Sequence, residues 1–131
     1  MFLLDTNTLI YFFKGEGGVA ARLLATPPDQ VAVCTVSLFE LETGLRKSSS
    51  PKQRRKQLDA FVSAAQVWDL DRAAAAAAAD IRAALEAKGQ PIGPLDNLIA
   101  GIALAHDAML VTRNLREFSR VAKLKTVDWH G

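Results

Sequence analysis

The chain has 131 residues, 50% of them apolar, which is enough for one domain with a real core and too little for two. Lys plus Arg number 16 and Asp plus Glu 14, a formal charge of +2, so composition neither demands nor excludes a polyanionic partner and the placement of charge must decide. A single cysteine, Cys34, rules out an intrachain disulfide and a cysteine-built zinc cluster, and no stretch stays apolar long enough to span a membrane.

The apolar start meets Asp5 too soon for a signal peptide, which with the lone thiol points to the cytoplasm. Phe2 to Leu4 reads as a buried strand ending on Asp5. Thr6 to Lys14 reads as a helix with Leu9, Ile10, Phe12 and Phe13 as its apolar positions, stopped by Gly15, Gly17 and Gly18. A short helix is expected around Ala20 to Ala25, closed by Pro27 and Pro28, and then a second buried strand, Val31 to Cys34. Ser37 to Lys47 carries Leu38, Leu41 and Leu45 at helical spacing. Ser48-Ser-Ser-Pro51 reads as a loop tip before a basic helix striped by Leu58, Phe61 and Val62. Gln66 to Leu70 is a third strand, and Asp71 caps an alanine-rich helix to about Lys88. Its alanines, Ala73 to Ala79, let a neighbouring helix pack closely. Pro91-Ile-Gly-Pro94 is a rigid connector into a helix from Leu95 to Asp107. Met109 to Thr112 is a strand, Arg113 to Arg120 a polar turn or short helix, and Lys125 to Trp129 an edge strand. Short apolar runs alternating with helices predict an α/β fold, a parallel sheet flanked by helices, as one domain over residues 1–131.

In such a sheet the strand ends converge on one edge, where sites form. Four positions stand there. Asp5 follows the first strand. Glu40 lies in the first turn after the second. Asp96 lies in the first turn after Pro94. Asn114 follows the Leu110-Val-Thr112 strand, with Glu117 a turn later. Each has a structural reading as well. Asp5 can cap its helix, Ser37-x-x-Glu40 fits a capping box, and Asp96 complements a helix dipole. Asn114 suits a turn, Glu117 and Glu42 suit solvent, and His106 and His130 lack the spacing of metal ligands. Gathered carboxylates repel and raise one another's pKa, which a hard divalent cation relieves. Such a centre hydrolyses phosphodiesters. Two basic clusters, Arg46 to Lys56 and Arg113 to Lys125, are either solvated faces or phosphate contacts. The second adjoins Asn114, which favours Arg113 and Arg116 as phosphate-backbone contacts.

The set Leu4-Asp-Thr-Asn7, Ser37-x-x-Glu40-Leu-x-x-Gly44, Pro91-Ile-Gly-Pro94-Leu-Asp96-Asn-Leu-Ile-Ala100 and Val111-Thr-Arg-Asn114-Leu-Arg-Glu-Phe118 resembles the PIN-domain family. Within it, the chain resembles the VapC-type ribonuclease toxins of type II toxin–antitoxin pairs, nearly end to end, to Val127-Asp-Trp129. The resemblance implies a three-layer α/β/α sandwich with Asp5, Glu40 and Asp96 as catalytic acids that hold Mg²⁺ or Mn²⁺. Thr6, Asn7 and Thr112 would hydrogen-bond to them or to bound water. Asn114 stands where many members carry a fourth acid; Glu117 can supply that charge instead, which leaves the number of metal ions open. The implied activity is an endoribonuclease that cuts a structured RNA of translation, tRNA ahead of rRNA, with water activated at the metal. The implied partners are a small antitoxin that inserts a segment, often with an arginine, into the acids, and a second copy of the chain, with Tyr11, Phe12 and Phe13 contributing to the dimer surface. Three rivals stay open. A HAD-like phosphatase also places an aspartate after its first strand, but Asn7 replaces its second one. The others are a PIN nuclease of RNA processing without an antitoxin and a non-catalytic RNA-binding module.

Overall fold

The computed structural model describes residues 1–131. Five strands, β1 (Phe2–Leu4), β2 (Val31–Cys34), β3 (Gln66–Trp68), β4 (Met109–Val111) and β5 (Thr126–Val127), form one wholly parallel sheet in the order β3-β2-β1-β4-β5. The chain first builds outward from β1 through β2 to β3, then returns to the other side of β1 with β4. The reversal of strand order therefore falls at β1, the position where open α/β sheets place their sites. Leu4 pairs with Val111, and the Asp5 amide donates to the Val111 carbonyl at 3.1 Å, so the ends of β1 and β4 lie side by side.

Successive strand residues face opposite layers. Leu3 points into a core beneath helices α5 (Arg72–Ala87), α6 (Pro94–Ala105) and α7 (Leu115–Phe118), among Ile81, Leu85, Ile99, Ile102 and Phe118. Leu4 points the other way, beneath α1 (Thr6–Lys14), α2 (Val19–Leu24), α3 (Thr35–Arg46) and α4 (Pro51–Ala64), among Leu9, Val19, Leu41, Leu45 and Leu58. Each such side chain contributes about 1.5–3 kcal/mol by leaving water. The result is the expected three-layer α/β/α sandwich. No helix is long and apolar enough to cross a membrane.

The alanine run works as its composition suggested. A Cβ at Gly101 of α6 would lie 2.6 Å from the Ala78 Cβ and 2.8 Å from the Ala74 carbonyl oxygen. Only glycine facing alanine lets α5 and α6 approach so closely. Asn97 of α6 donates to the Ala78 carbonyl at 2.8 Å, which fixes the rotation of α6 and hence the direction of the neighbouring Asp96.

Several boundaries differ from expectation. Helix α3 begins at Thr35, two residues early, with Cys34 as its N-cap and no side-chain cap. Ser37 is thus the third helical residue, Glu40 belongs to the second turn, and the capping box does not form. The terminal strand shortens to Thr126–Val127 because Trp129 leaves the ladder and is buried against Phe2. A 3₁₀ turn at Pro28–Gln30 was not foreseen.

Candidate active site

Asp5 does two jobs. It caps α1, its Oδ1 accepting from the Thr8 amide at 2.8 Å. The same carboxylate, 4% exposed, faces the carboxyl edge and accepts from the Thr112 hydroxyl of the adjacent strand end. Burial pushes the Asp5 carboxyl above the usual carboxylate range. Bonds from Thr112 and Thr8 draw it back, and the nearby Glu40 charge adds to the rise.

Glu40 reaches the same edge from α3. The Thr6 hydroxyl donates to its Oε1 at 2.6 Å, and the Thr6 Oγ1 lies 3.0 Å from the buried Ser37 hydroxyl. Thr112, fully buried, also accepts from the Asn114 amide at 3.0 Å. Hydroxyls from three different elements thus orient two of the acids. Hydrogen bonds to a charged group contribute about 1.5–3 kcal/mol each.

Asp96 arrives from the first turn of α6 and Glu117 from α7. Glu117 accepts from the Gly93 amide at 3.0 Å and from the Asn114 side-chain amide at 2.5 Å, so it is pinned over the start of α6. The Asp96 carboxyl is pushed up to about 7, first by burial, then by the Glu117 charge and hydrogen bond, with smaller contributions from Asp5 and Glu40. Asp96 therefore lies within the fields of the other three carboxylates, and Asp5 within that of Glu40. No Lys or Arg forms an ion pair with any of them.

The donor set fits a hard, hydrated divalent cation. It is all oxygen and strongly anionic, and no Lys or Arg is ion-paired with it. No three His, Cys, Asp or Glu side chains stand close enough together to hold a metal ion by themselves. An all-oxygen donor set is of the kind Mg²⁺ or Mn²⁺ takes, with most of the remaining ligands supplied by water.

Other sequence expectations fared unevenly. Asn7 is exposed and bonds to none of the acids. Asn114 caps α7, and its side-chain amide donates to Glu117. Glu117 is half-buried, not solvated, a fact hidden by the 24 residues separating it from Gly93. Ser37 joins the site by helical placement that the capping-box pattern disguised. Glu42 bridges α3 and α4 through Arg46 at 2.7 Å and Arg55 at 2.6 Å, whose hydrogen bonds hold its carboxyl down at about 2. Those two arginines of the first basic cluster are therefore already neutralised. Arg116 and Arg120 line a pocket of about 390 Å³ with Gly93, Asn114 and Glu117, directly beside the acids. Phe12 and Phe13 pack on Phe61, and Tyr11 on His130, so that group is half-buried within the chain. His106 stacks on Trp68, away from any acid.

A parallel sheet whose switch point gathers carboxylates from β1, α3, α6 and α7 defines a PIN-type nuclease scaffold. The chain belongs to the PIN-domain family, whose model matches residues 2–124. Within that family it is of the VapC type. It is similar to the tRNA(fMet)-specific endonuclease VapC of Shigella flexneri, at 38% identity over 128 residues, 98% of this chain and 97% of the relative. It also resembles a chain of the crystal structure of DNA-bound VapBC from Salmonella typhimurium, with a TM-score of 0.92 and 36% identity, covering 98% of this chain and 97% of that one. VapBC2 from Rickettsia felis, bound to a DNA fragment from its promoter, gives a TM-score of 0.91 at 32% identity, covering 98% of each chain.

Proposed function

We propose that the protein is a metal-dependent endoribonuclease, the toxin of a toxin–antitoxin pair, with tRNA as its substrate. The observation that carries this reading is the convergence of Asp5, Glu40, Asp96 and Glu117 on one sheet edge with no Lys or Arg ion-paired to them. Asp5, Glu40 and Asp96 would hold Mg²⁺ or Mn²⁺, which when bound would activate water and offset charge building on the scissile phosphate. The chain's own residues prepare that edge. Thr8 and Thr112 fix the Asp5 carboxylate, and Thr6 aims Glu40. The Asp96 carboxyl, pushed up to about 7 by burial and by the Glu117 charge and hydrogen bond, would release its proton as the site takes up positive charge. Arg116 and Arg120 bind the RNA backbone on the α7 side.

The choice of tRNA rests on the Shigella relative, a tRNA(fMet)-specific endonuclease. The antitoxin reading rests on likeness to VapBC complexes and on a groove of about 430 Å³ that ends at Glu40. Its floor is apolar, with Ile10, Phe13, Leu41, Leu45 and Leu58, and Lys14 and Arg54 stand on its wall. It suits an apolar peptide segment that delivers an arginine to the carboxylates.

The test is cleavage of total cellular RNA by the purified, antitoxin-free protein with Mg²⁺ and with EDTA, mapping new 5′ ends by sequencing. Discrete cuts in tRNA are expected, bearing 5′-phosphates, lost with EDTA and in Asp5→Ala and Asp96→Asn. A folded protein that leaves all RNA intact with Mg²⁺ and with Mn²⁺ would sink the reading.

A further inference from the structure

Arg113 has surroundings unlike those of the other basic residues. It follows Thr112, whose neighbour Val111 accepts the Asp5 amide, so it stands at the rim of the acidic centre. Its Nη1 lies 3.0 Å from the His130 Nε2, and its guanidinium carbon lies 5.6 Å from the centre of the Tyr11 ring. Tyr11 and His130 meet edge to face at 4.8 Å, closing a three-residue cluster. Arginine has no acceptor, so in a hydrogen bond between them Arg113 donates and the His130 Nε2 accepts.

The chain is shaped to seat that ring. Gly17 has φ +64, and a Cβ there would come within 2.5 Å of the His130 carbonyl oxygen and 2.8 Å of its ring. The Gly18 amide donates to the His130 carbonyl at 2.8 Å, the His130 amide donates to Asp128 Oδ1 at 2.8 Å, and buried Trp129 anchors the segment in the core.

A neutral acceptor and an aromatic face restrain a guanidinium without cancelling its charge. Arg113 pairs with no carboxylate, whereas Glu42 neutralises Arg46 and Arg55. One of its donors is engaged by His130, leaving the others for a ligand. Its guanidinium lies against Tyr11 of α1, whereas Arg116 and Arg120 line the pocket beside Glu117. An anionic strand crossing the acids thus meets positive charge at both places, which offsets repulsion by the carboxylates.

Resting on the nuclease reading, we infer that the C-terminal segment belongs to the RNA-binding surface: His130 and Tyr11 are positioning residues that hold Arg113, fully charged, as a phosphate contact beside Asp5. Pre-ordering a flexible arginine lowers the entropy lost when RNA binds.

The experiment measures binding of a fluorescent stem–loop RNA in Mg²⁺ buffer across a salt series, in the full chain carrying Asp96→Asn to block cleavage. Arg113→Gln should weaken binding roughly three- to tenfold and flatten the slope of log K against log salt by about 0.7, one phosphate contact to a single strand. His130→Phe fills the same slot without an acceptor and should weaken binding roughly threefold, while His130→Gln, which restores an acceptor near Nε2, should bind like the parent. In the Arg113→Gln background, His130→Phe should change nothing. Equal weakening in both backgrounds, or an unaltered salt slope in Arg113→Gln, overturns the inference. Thermal melts check folding; should His130→Phe unfold, the salt slope of Arg113→Gln decides. Wild-type protein that cuts total RNA, with Arg113→Gln binding as tightly as its Asp96→Asn parent, overturns this inference alone. Wild-type protein that cuts no RNA, with an Asp96→Asn parent that binds none, overturns it together with the nuclease reading.

Discussion

The acidic centre has two unlike halves. Asp5 and Glu40 sit against the sheet, each held by donors from other elements: Thr8, Thr112 and Thr6. Asp96 and Glu117 sit at the starts of α6 and α7; Glu117 accepts from Gly93 and Asn114, while Asp96 is raised by burial and then by the Glu117 charge. The first half is a scaffold whose charge is satisfied by hydrogen bonds. The second half stores repulsion that protons or a cation can relieve. A site built this way keeps two acids in place while the other two respond to what binds.

The largest expected effects separate charge from scaffold. Asp5→Asn preserves the cap on Thr8 and removes the charge. RNA cleavage should fall by about 10³-fold or more, while the thermal midpoint holds or rises. Asp96→Asn should abolish cleavage as fully, but with a different stability signature. Because the folded state holds the Asp96 proton up to about pH 7, the unfolded chain releases it first as pH rises. Asp96 therefore lends stability below the ordinary carboxylate range, and that contribution is lost by neutrality. The metal-free wild type should melt lower at pH 8 than at pH 5, and Asp96→Asn should flatten that fall, as differential scanning calorimetry would show.

Smaller effects sharpen the contrast. Thr6→Val leaves every carboxylate in place but unaims Glu40, and cleavage rates should drop roughly 10–100-fold. Glu117→Gln removes the charge that helps raise Asp96. Activity should fall roughly tenfold, and the acid limb of the pH–rate profile should move to lower pH. Glu42→Gln, outside the centre, breaks an exposed ion-pair network; cleavage should be unchanged and the melting point should hardly move.

The scaffold half was the more legible in the sequence. An apolar run stopping at Asp5, and another ending in Thr112, announce strand ends, and parallel strands bring such ends together without further information. Asp71 likewise read correctly as a cap and accepts from the Ala74 amide. The responsive half was less so. Glu117 gains its place through Gly93 and Asn114, contacts set by how α6 and α7 dock, not by any local pattern. Ser37 misled for a local reason: helix α3 starts without a polar cap, so the nearest serine looked like one. The seat of His130 depends on Gly17, 113 positions earlier in the chain, and no spacing rule reveals it.

The most direct test of the four acids as one cation-binding centre is calorimetric titration of the purified protein with Mn²⁺ at about pH 6 and about pH 8. Binding should be tighter at the higher pH, with proton release at the lower one, and it should collapse in Asp5→Asn and Asp96→Asn alike. Binding of equal strength at both pH values, or binding that survives loss of either acid, would contradict a shared centre and leave Asp5 as the cap of α1 alone.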